Sequence, residues 1–426
     1  MTKGEQIYRL MEELFPICRS ITGDGVRQTF QKLKEICPSL KTYEIPTGTK
    51  VFDWEIPKEW NIRDAYVEDS QGRRVIDFRE NNLHVVGYSL PMDKTISLPE
   101  LKKMIHTYPK LPDAVPYVTS YYKEASGFCM SQSRMNELED GNYHAVIDSE
   151  LKDGSLTYGD ILIPGESEQE ILFSTYICHP SMANNELSGP CTAIYLAQHL
   201  ARTAHKYTYR FVFVPETIGS IAYINRNFDQ LKKNVAAGYN LSCLGDDRTY
   251  TCVSTRYGNT LSDRAAELVL RHRFPQYNHY PFLNRGSDER QYNMPGVDIP
   301  VCGLYRSKSN EYEQYHTSLD NMDFVSAGAL GDSFQFLLDL VFVLEHNAVY
   351  KNLCLCEPQL GKRGLYPKTS SRGSSKANGA FKTIDFLAYA DGTNDLISIA
   401  NTIQMPFSDV FDIAQKLAET GLIEKL

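Results

Sequence analysis

Five side chains able to bind a metal or move a proton lie in four separate loops of this sequence. His179 and Glu186 fall seven positions apart in STYICHPSMANNELSGP, Glu216 follows YRFVFVP, Asp288 lies in NRGSDERQYN, and His316 lies in EYEQYHTSLDN. Two imidazoles and a carboxylate around one open position are the donor set of a catalytic zinc, and a further carboxylate can take the proton from its water. Each residue also has a simpler use. A histidine before proline serves many turns, Glu186 is placed to cap a helix starting near Ser188, and Asp288 is a natural turn acid. Glu216 resists that treatment, because a charge directly after a buried strand and a proline is costly unless it has a partner. Asp320, shortly after His316, is placed either to support a ligand histidine or to start the next helix. The case for chemistry therefore rests on convergence of the five.

Convergence requires a scaffold. From about residue 166, ILFSTYIC, YRFVFV, AAGYNLSCL, YTCVS and VDIPVCGLY read as strands, while PCTAIYLAQHLART, GSIAYINRNFDQL and NTLSDRAAELVLRHRF read as helices. Strands without polar alternation, separated by helices, predict an α/β domain with a mainly parallel sheet flanked by helices. In such sheets reacting groups collect in loops beyond the carboxyl ends of strands. The opening helices IYRLMEELFPIC and VRQTFQKLKEIC and the apolar segment SAGALGDSFQFLLDLVFVLEHN complete this domain, 1–42 with 166–350. Between them, 43–165 carries short alternating runs such as RVIDF and YHAVIDSEL, which predict an inserted β-rich domain. Residues 351–382, rich in Gly, Ser and basic residues, read as a linker. Residues 383–426 give three short helices and one strand, the pattern of a C-terminal winged helix.

Composition narrows the function. At 426 residues the chain exceeds a single core, and 42% hydrophobic with 23% charged residues is ordinary for a folded protein. A net charge of −9 offers no general field for nucleic acid. The candidate recognition helix, SDVFDIAQKLAETG, carries Asp409, Asp412 and Glu419 against Lys416, which favours packing or partner docking over DNA. No window reaches the roughly 20 apolar residues of a membrane span, and MTKGEQIYRLMEELF is charged throughout. A cytoplasmic protein without a membrane partner is expected. The ten cysteines form no paired CxxC motifs and read as buried thiols.

Through ANNELSG, PETIGS, GYNLSCLG, GSDERQYNMPGVDIP and YHTSLDN, residues 166–345 resemble the zinc aminopeptidases and glutamate-carboxypeptidase-like enzymes of the co-catalytic metallopeptidase group, in the same motif order. Over nearly the whole chain, LFPICRSITGDGVR, STYICHPSMANNELSGP and the winged helix resemble a bacterial group of aminopeptidase-like proteins associated with polysaccharide-biosynthesis gene clusters. The resemblance implies a zinc-exopeptidase-like fold and hydrolysis of an amide or peptide bond. It also locates departures. Tyr176 stands where the first histidine is usual, Asn185 replaces the bridging aspartate, Thr217 the second glutamate and Ser242 a further aspartate, so the two-zinc set is lost.

Glu216 keeps the general-base position and His316 the final histidine of that family. With His179 and Glu186 displaced nearby, the expectation is one Zn²⁺ per chain held by His179, Glu186 and His316, with Glu216 activating the water. Single-zinc carboxypeptidases use a similar His, Glu and distant His, although their HxxE spacing is shorter than the one here. Asp288 is a reserve ligand or binds a substrate amine, and Arg285 and Arg290 are placed to hold a substrate carboxylate. The expected substrate is a peptide or small amide. The alternatives are a deacylase acting on an amino sugar or its aminoacyl derivative, and a non-catalytic ligand sensor with the winged helix as its output. A homo-oligomer is compatible with each.

Overall fold

The run Glu170–Tyr176 is buried at every residue and lies near the middle of an eight-stranded sheet. In the computed structural model, which describes residues 1–365 and 379–426, that sheet comprises β1 (Lys41–Pro46), β2 (Ser155–Ile163), β3 (Glu170–Tyr176), β4 (Thr208–Val214), β5 (Val235–Leu241), β6 (Thr251–Val253), β7 (Asn278–Tyr280) and β8 (Val301–Tyr305). Their order is β1-β2-β4-β3-β5-β8-β6-β7. The central strands β4, β3, β5 and β8 are parallel. Burial on both faces explains why their sequences are apolar without alternation. Towards the edges the sheet turns mixed, because β1, β2 and the join of β8 to β6 are antiparallel.

By internal contacts the chain divides into two units, Met1–Ser262 with Asn278–Gln335, and Asp263–Tyr277 with Phe336–Leu426. In the first, α1 (Lys3–Leu14), α2 (Asp24–Ile36), α3 (Ser188–Leu200) and α4 (Ile218–Asn234) accompany the sheet, α3 packing on β3 and α4 on β4 and β5. Gly189 makes the start of α3 possible. A Cβ there would lie 2.5 Å from both the Leu241 carbonyl oxygen and the Thr175 hydroxyl, so alanine would force the helix off the strands. Likewise Gly4 brings α1 onto the start of α5 (Ala327–His346), where a Cβ would lie 1.9 Å from the Ala327 oxygen.

The inserted segment contributes a four-stranded antiparallel sheet in the order Arg74–Asp77, Glu59–Glu68, Asn142–Lys152, Met92–Ser97. Alternating burial along Asn142–Lys152 matches its alternating sequence. Its inward Val67, Ala145 and Ile147 belong to the same buried cluster as Val212 and Ile221 of the main sheet and α4. The strands that open and close the insertion, β1 and β2, are part of the large sheet.

In the second unit, β9 (Val349–Asn352) lies between β10 (Asp391–Asp395) and β11 (Ile423–Lys425), with α6 (Gly379–Tyr389), α7 (Leu396–Ile403) and α8 (Phe407–Glu419). The sequence reading starts this domain at 383. The structure moves the start back, because Val349–Asn352 is the strand with which both others form their hydrogen bonds. Residues 366–378 of the expected linker lie outside the described residues. Asp395 caps α7 through the Ser398 amide at 2.9 Å and accepts both Arg264 Nη atoms at 2.9 Å. Burial alone would raise its carboxyl, but Arg264, Asn347 and Ser398 overcome that and hold it at about 2.

The expectation that no segment has the length and apolarity of a membrane span does not hold for α5. It has 20 residues and a mean hydropathy of 1.5 over its most apolar window. Of that window 56% is buried within the fold, which accounts for its apolar composition.

Candidate active site

Because β3 and β4 are parallel neighbours, the residues leaving their carboxyl ends emerge side by side. The Ile177 amide donates to the Val214 carbonyl at 2.9 Å, and the Glu216 amide donates to Cys178 Sγ at 3.2 Å. His179 and Glu216 thereby meet, with Nε2 3.6 Å from Oε2. Directly after Glu216 the backbone takes a left-handed turn at Thr217, φ 66 and ψ −76, an outlier for a β-branched residue. Asp288 holds that turn. Its Oδ1 accepts the Thr217 amide at 2.8 Å and the Ser220 hydroxyl at 2.9 Å. Ser287, from the same loop, donates to Glu216 Oε1 at 2.9 Å.

Glu186 lies in one wide helical turn of the π type, Ala183–Leu187, immediately before α3. Such turns insert an extra residue and often occur at functional sites. The Asp320 carboxylate anchors it by accepting the amides of Asn184 at 2.6 Å and Asn185 at 2.9 Å. Burial pushes the Asp320 carboxyl up to about 6, against the pull of those amides. Glu186 Oε2 is 2.9 Å from His179 Nδ1. On its other side, Oε1 is 3.8 Å from Arg19 Nε, and both side chains are 0% exposed. Arg19 also donates to the His179 carbonyl at 3.1 Å and to the Leu14 carbonyl at 2.7 Å. Burial opposes protonation of His179, but the Glu186 hydrogen bond and charge, with Glu216, outweigh it and raise its pKa.

His316 arrives in the loop after β8, in the left-handed region at φ 55. Its ring stacks on Tyr315 with centroids 3.9 Å apart and stands 5.3 Å from that of His179. Tyr117 meets both imidazoles edge-on, at 5.2 Å from each, and its amide donates to the His316 carbonyl at 2.9 Å. His316 Nε2 is buried without a hydrogen-bond partner. Burial, then the neighbouring His179, pushes its pKa down to about 3, so the ring is neutral and able to bind a metal.

Two donor sets invite comparison. Cys178, His179 and Glu186 offer atoms all within 4.8 Å of one another. That trio suits a cation poorly, because burial raises the Cys178 thiol well above its ordinary pKa, its sulfur accepts the Glu216 amide, and Glu186 already bonds to Nδ1. The other edge of the His179 ring suits one better. Imidazoles sharing a tetrahedral ion, with bonds of about 2.1 Å, stand roughly 5 Å apart between ring centres, close to the spacing of His179 and His316. Glu216 Oε2 lies at that edge, and the unpaired His316 Nε2 is a donor awaiting a partner.

His179, Glu186, Glu216 and His316 are thus gathered in one place, with Glu186 on Nδ1 and not at the edge nearest Glu216. Asp288 stands beside them, buried and committed to Thr217 and Ser220 by one oxygen, while Oδ2 has no partner. Burial and the Glu216 charge raise it to about 7. Arg290 reaches the Thr217 hydroxyl. Arg285 does not join, being exposed and laid over the Phe282 ring at 4.8 Å. Tyr176 and Asn185 are bonded to each other, the Tyr176 hydroxyl donating to the Asn185 carbonyl at 2.8 Å and accepting from Nδ2 at 2.9 Å.

A cavity of about 480 Å³ opens beside His316, walled by Tyr108, Tyr117, Tyr312 and Tyr315, with Glu311 and Glu313. Another of about 650 Å³ lies along Cys18, Trp60 and Arg63, and none of the gathered residues lines it. Arg19 and Tyr117 are the members that sequence reasoning missed. The only signal for Arg19 is a single cation inside the apolar LFPICRSI, and Tyr117 has no local signal.

Residues 8–347 match the family described as "Domain of unknown function (DUF4910)", and 348–425 match a winged helix-turn-helix family. A Clostridium acetobutylicum protein named for polysaccharide biosynthesis and an aminopeptidase-like domain is 47% identical over 422 residues, 99% of this chain and 96% of the relative. A crystal structure from the same organism, of a protein carried as a candidate peptidase, is 45% identical, covers 99% of this chain and 96% of that one, and superposes with a TM-score of 0.93. A zinc aminopeptidase from Bacillus subtilis matches over 81% of this chain and 95% of its own at 12% identity and a TM-score of 0.56, which is a likeness of fold.

Proposed function

Because the chain belongs to the DUF4910 family and has an aminopeptidase-like fold, we propose that it is a metal-dependent hydrolase of amide or peptide bonds. The observation that carries this reading is His179 Nε2 standing 3.6 Å from Glu216 Oε2, with the ring of His316, whose Nε2 is unpaired and which lines an open cavity, 5.3 Å from that of His179. One zinc ion would be held by His179 and His316; when bound it acidifies a water and polarises the scissile carbonyl. Glu216 takes the water proton and passes it to the leaving amine, a role worth about 10²–10⁴-fold. Ser287 and the Cys178 contact fix the Glu216 side chain and backbone for that transfer. Glu186 orients His179 through Nδ1, and the tyrosine-walled cavity with Glu311 and Glu313 receives the amine-bearing side of the substrate.

A second reading is favoured by the name of the 47% identical relative: the amide would join an acyl or aminoacyl group to an amino sugar, cleaved by the same residues. The winged helix serves packing or partner docking, since α8 presents Asp409, Asp412 and Glu419 against Lys416.

The decisive experiment is metal analysis of the purified protein with hydrolysis assays on aminoacyl anilides and aminoacyl amino sugars. About one zinc per chain is expected, with turnover lost on chelation. Glu216→Gln should keep the metal and lose turnover. A protein that takes up no divalent ion, or a Glu216→Gln variant as active as the parent, would sink the proposal.

A further inference from the structure

Arg19 lies outside every loop that marks the site, yet it reaches His179 by two routes, directly at the carbonyl and through Glu186. We propose that Arg19 is a positioning residue, which fixes the His179 ring by holding the carbonyl of that residue and the carboxylate of Glu186 at once. The inference rests on the proposed role of His179 in the reaction.

The geometry makes the argument. A histidine ring is placed by its backbone and by rotation of its side chain. Arg19 Nε donates to the His179 carbonyl at 3.1 Å, which settles the backbone. The same Nε stands 3.8 Å from Glu186 Oε1, and the other oxygen of Glu186 is 2.9 Å from His179 Nδ1, which settles the rotation. Nη1 is tied to the Leu14 carbonyl at the end of α1, so the guanidinium is itself anchored. With backbone and rotation both set, Nε2 is left turned towards Glu216.

Packing alone explains none of this. A buried ion pair costs desolvation that an apolar pair of similar size avoids. This one is incompletely bonded besides, since Arg19 Nη2 and Glu186 Oε1 have no hydrogen-bond partners. Such a pair does little for stability. Its arrangement instead matches the carboxylate that commonly holds the second nitrogen of a reacting or metal-binding histidine, with Arg19 fixing that carboxylate in turn.

Arg19→Lys tests the proposal, because an ammonium keeps the charge but cannot reproduce the fork. Zinc affinity should fall about 10–100-fold, and kcat should fall with KM little changed. In metal-free protein labelled with ¹⁵N-histidine, the Nδ1–H resonance of His179 should move from its wild-type position. Adding Arg19→Lys to Glu186→Gln should cost clearly less zinc affinity than Arg19→Lys does alone, because the route through Glu186 is already gone and only the hold on the His179 carbonyl remains. If Arg19→Lys does not fold, Glu186→Asp, which keeps the charge and shortens the reach, should give the same losses. A variant with lowered Tm but unchanged zinc affinity, kcat and His179 resonance would show Arg19 to be merely structural. Additive losses in the double variant would show that it acts elsewhere than through Glu186. Should wild-type protein bind no zinc, the proposed function fails while the resonance still decides: an unmoved His179 signal in Arg19→Lys overturns the positioning role.

Discussion

The two histidines of the site are held by opposite means. On one wall, His179 is gripped by charge, with Glu186 on its ring and Arg19 on its carbonyl, and its pKa is raised. On the other, His316 is held by packing between Tyr315 and Tyr117, in a left-handed backbone, with Nε2 unpaired and its pKa at about 3. The difference separates two tasks. The charged wall supplies direction, and the packed wall supplies a nitrogen kept free of protons. Neither wall alone would make a site.

Breaking the charged wall should have the largest effect. Glu186→Ala leaves Arg19 as an unpaired buried cation and should cost about 3–5 kcal/mol, read as a fall in the urea midpoint of the larger unit. A paired, half-buried carboxylate of the smaller unit gives the measure against which that wall is judged. Asp395 is held at about 2, below its unfolded value. Its stabilisation is therefore present above about pH 4 and is lost as pH falls towards 2, a loss of roughly 2 kcal/mol for the smaller unit. Acid titration of Asp395→Asn should show that step removed.

The packed wall should respond more mildly. His316→Asn removes the ring stacked on Tyr315 while keeping a residue that tolerates the left-handed backbone, and should lower stability by about 1 kcal/mol. Zinc retention and hydrolysis should both be lost in that variant, and a calorimetric scan beside a metal assay checks the pair. Tyr315→Leu, the mildest change, removes a stacking contact of about 0.5–1.5 kcal/mol and should weaken zinc binding more than it lowers Tm. Equal falls in both would erase the distinction between the walls.

The central strands are legible in the sequence because burial on two faces leaves continuous apolar runs, and the loops at their carboxyl ends follow from that. β7, with sequence NHY, is not legible, being three mostly exposed residues at a sheet edge. The same holds for Val349–Asn352, whose four residues carry no period, so the start of the winged unit reads too late. At the site, the residue types of His179, Glu186, Glu216 and His316 point to metal or proton chemistry. Which nitrogen meets Glu186 is fixed by side-chain rotation and is not written in spacing. Tyr117 and Arg19 come from the insertion and from the turn after α1, and only tertiary packing shows where they go.

Gly4 places the opening helix against the Ala327 carbonyl, with Ile7, Leu10, Met11 and Leu14 turned inward. A ribosome delivers those residues well before Ala183–Leu200, the turn and helix on which they pack, and long before Ala327. Until then an oily stripe is left uncovered in the nascent chain, a liability of the kind that invites aggregation and chaperone capture. A circular permutant that supplies this helix last would shorten the wait.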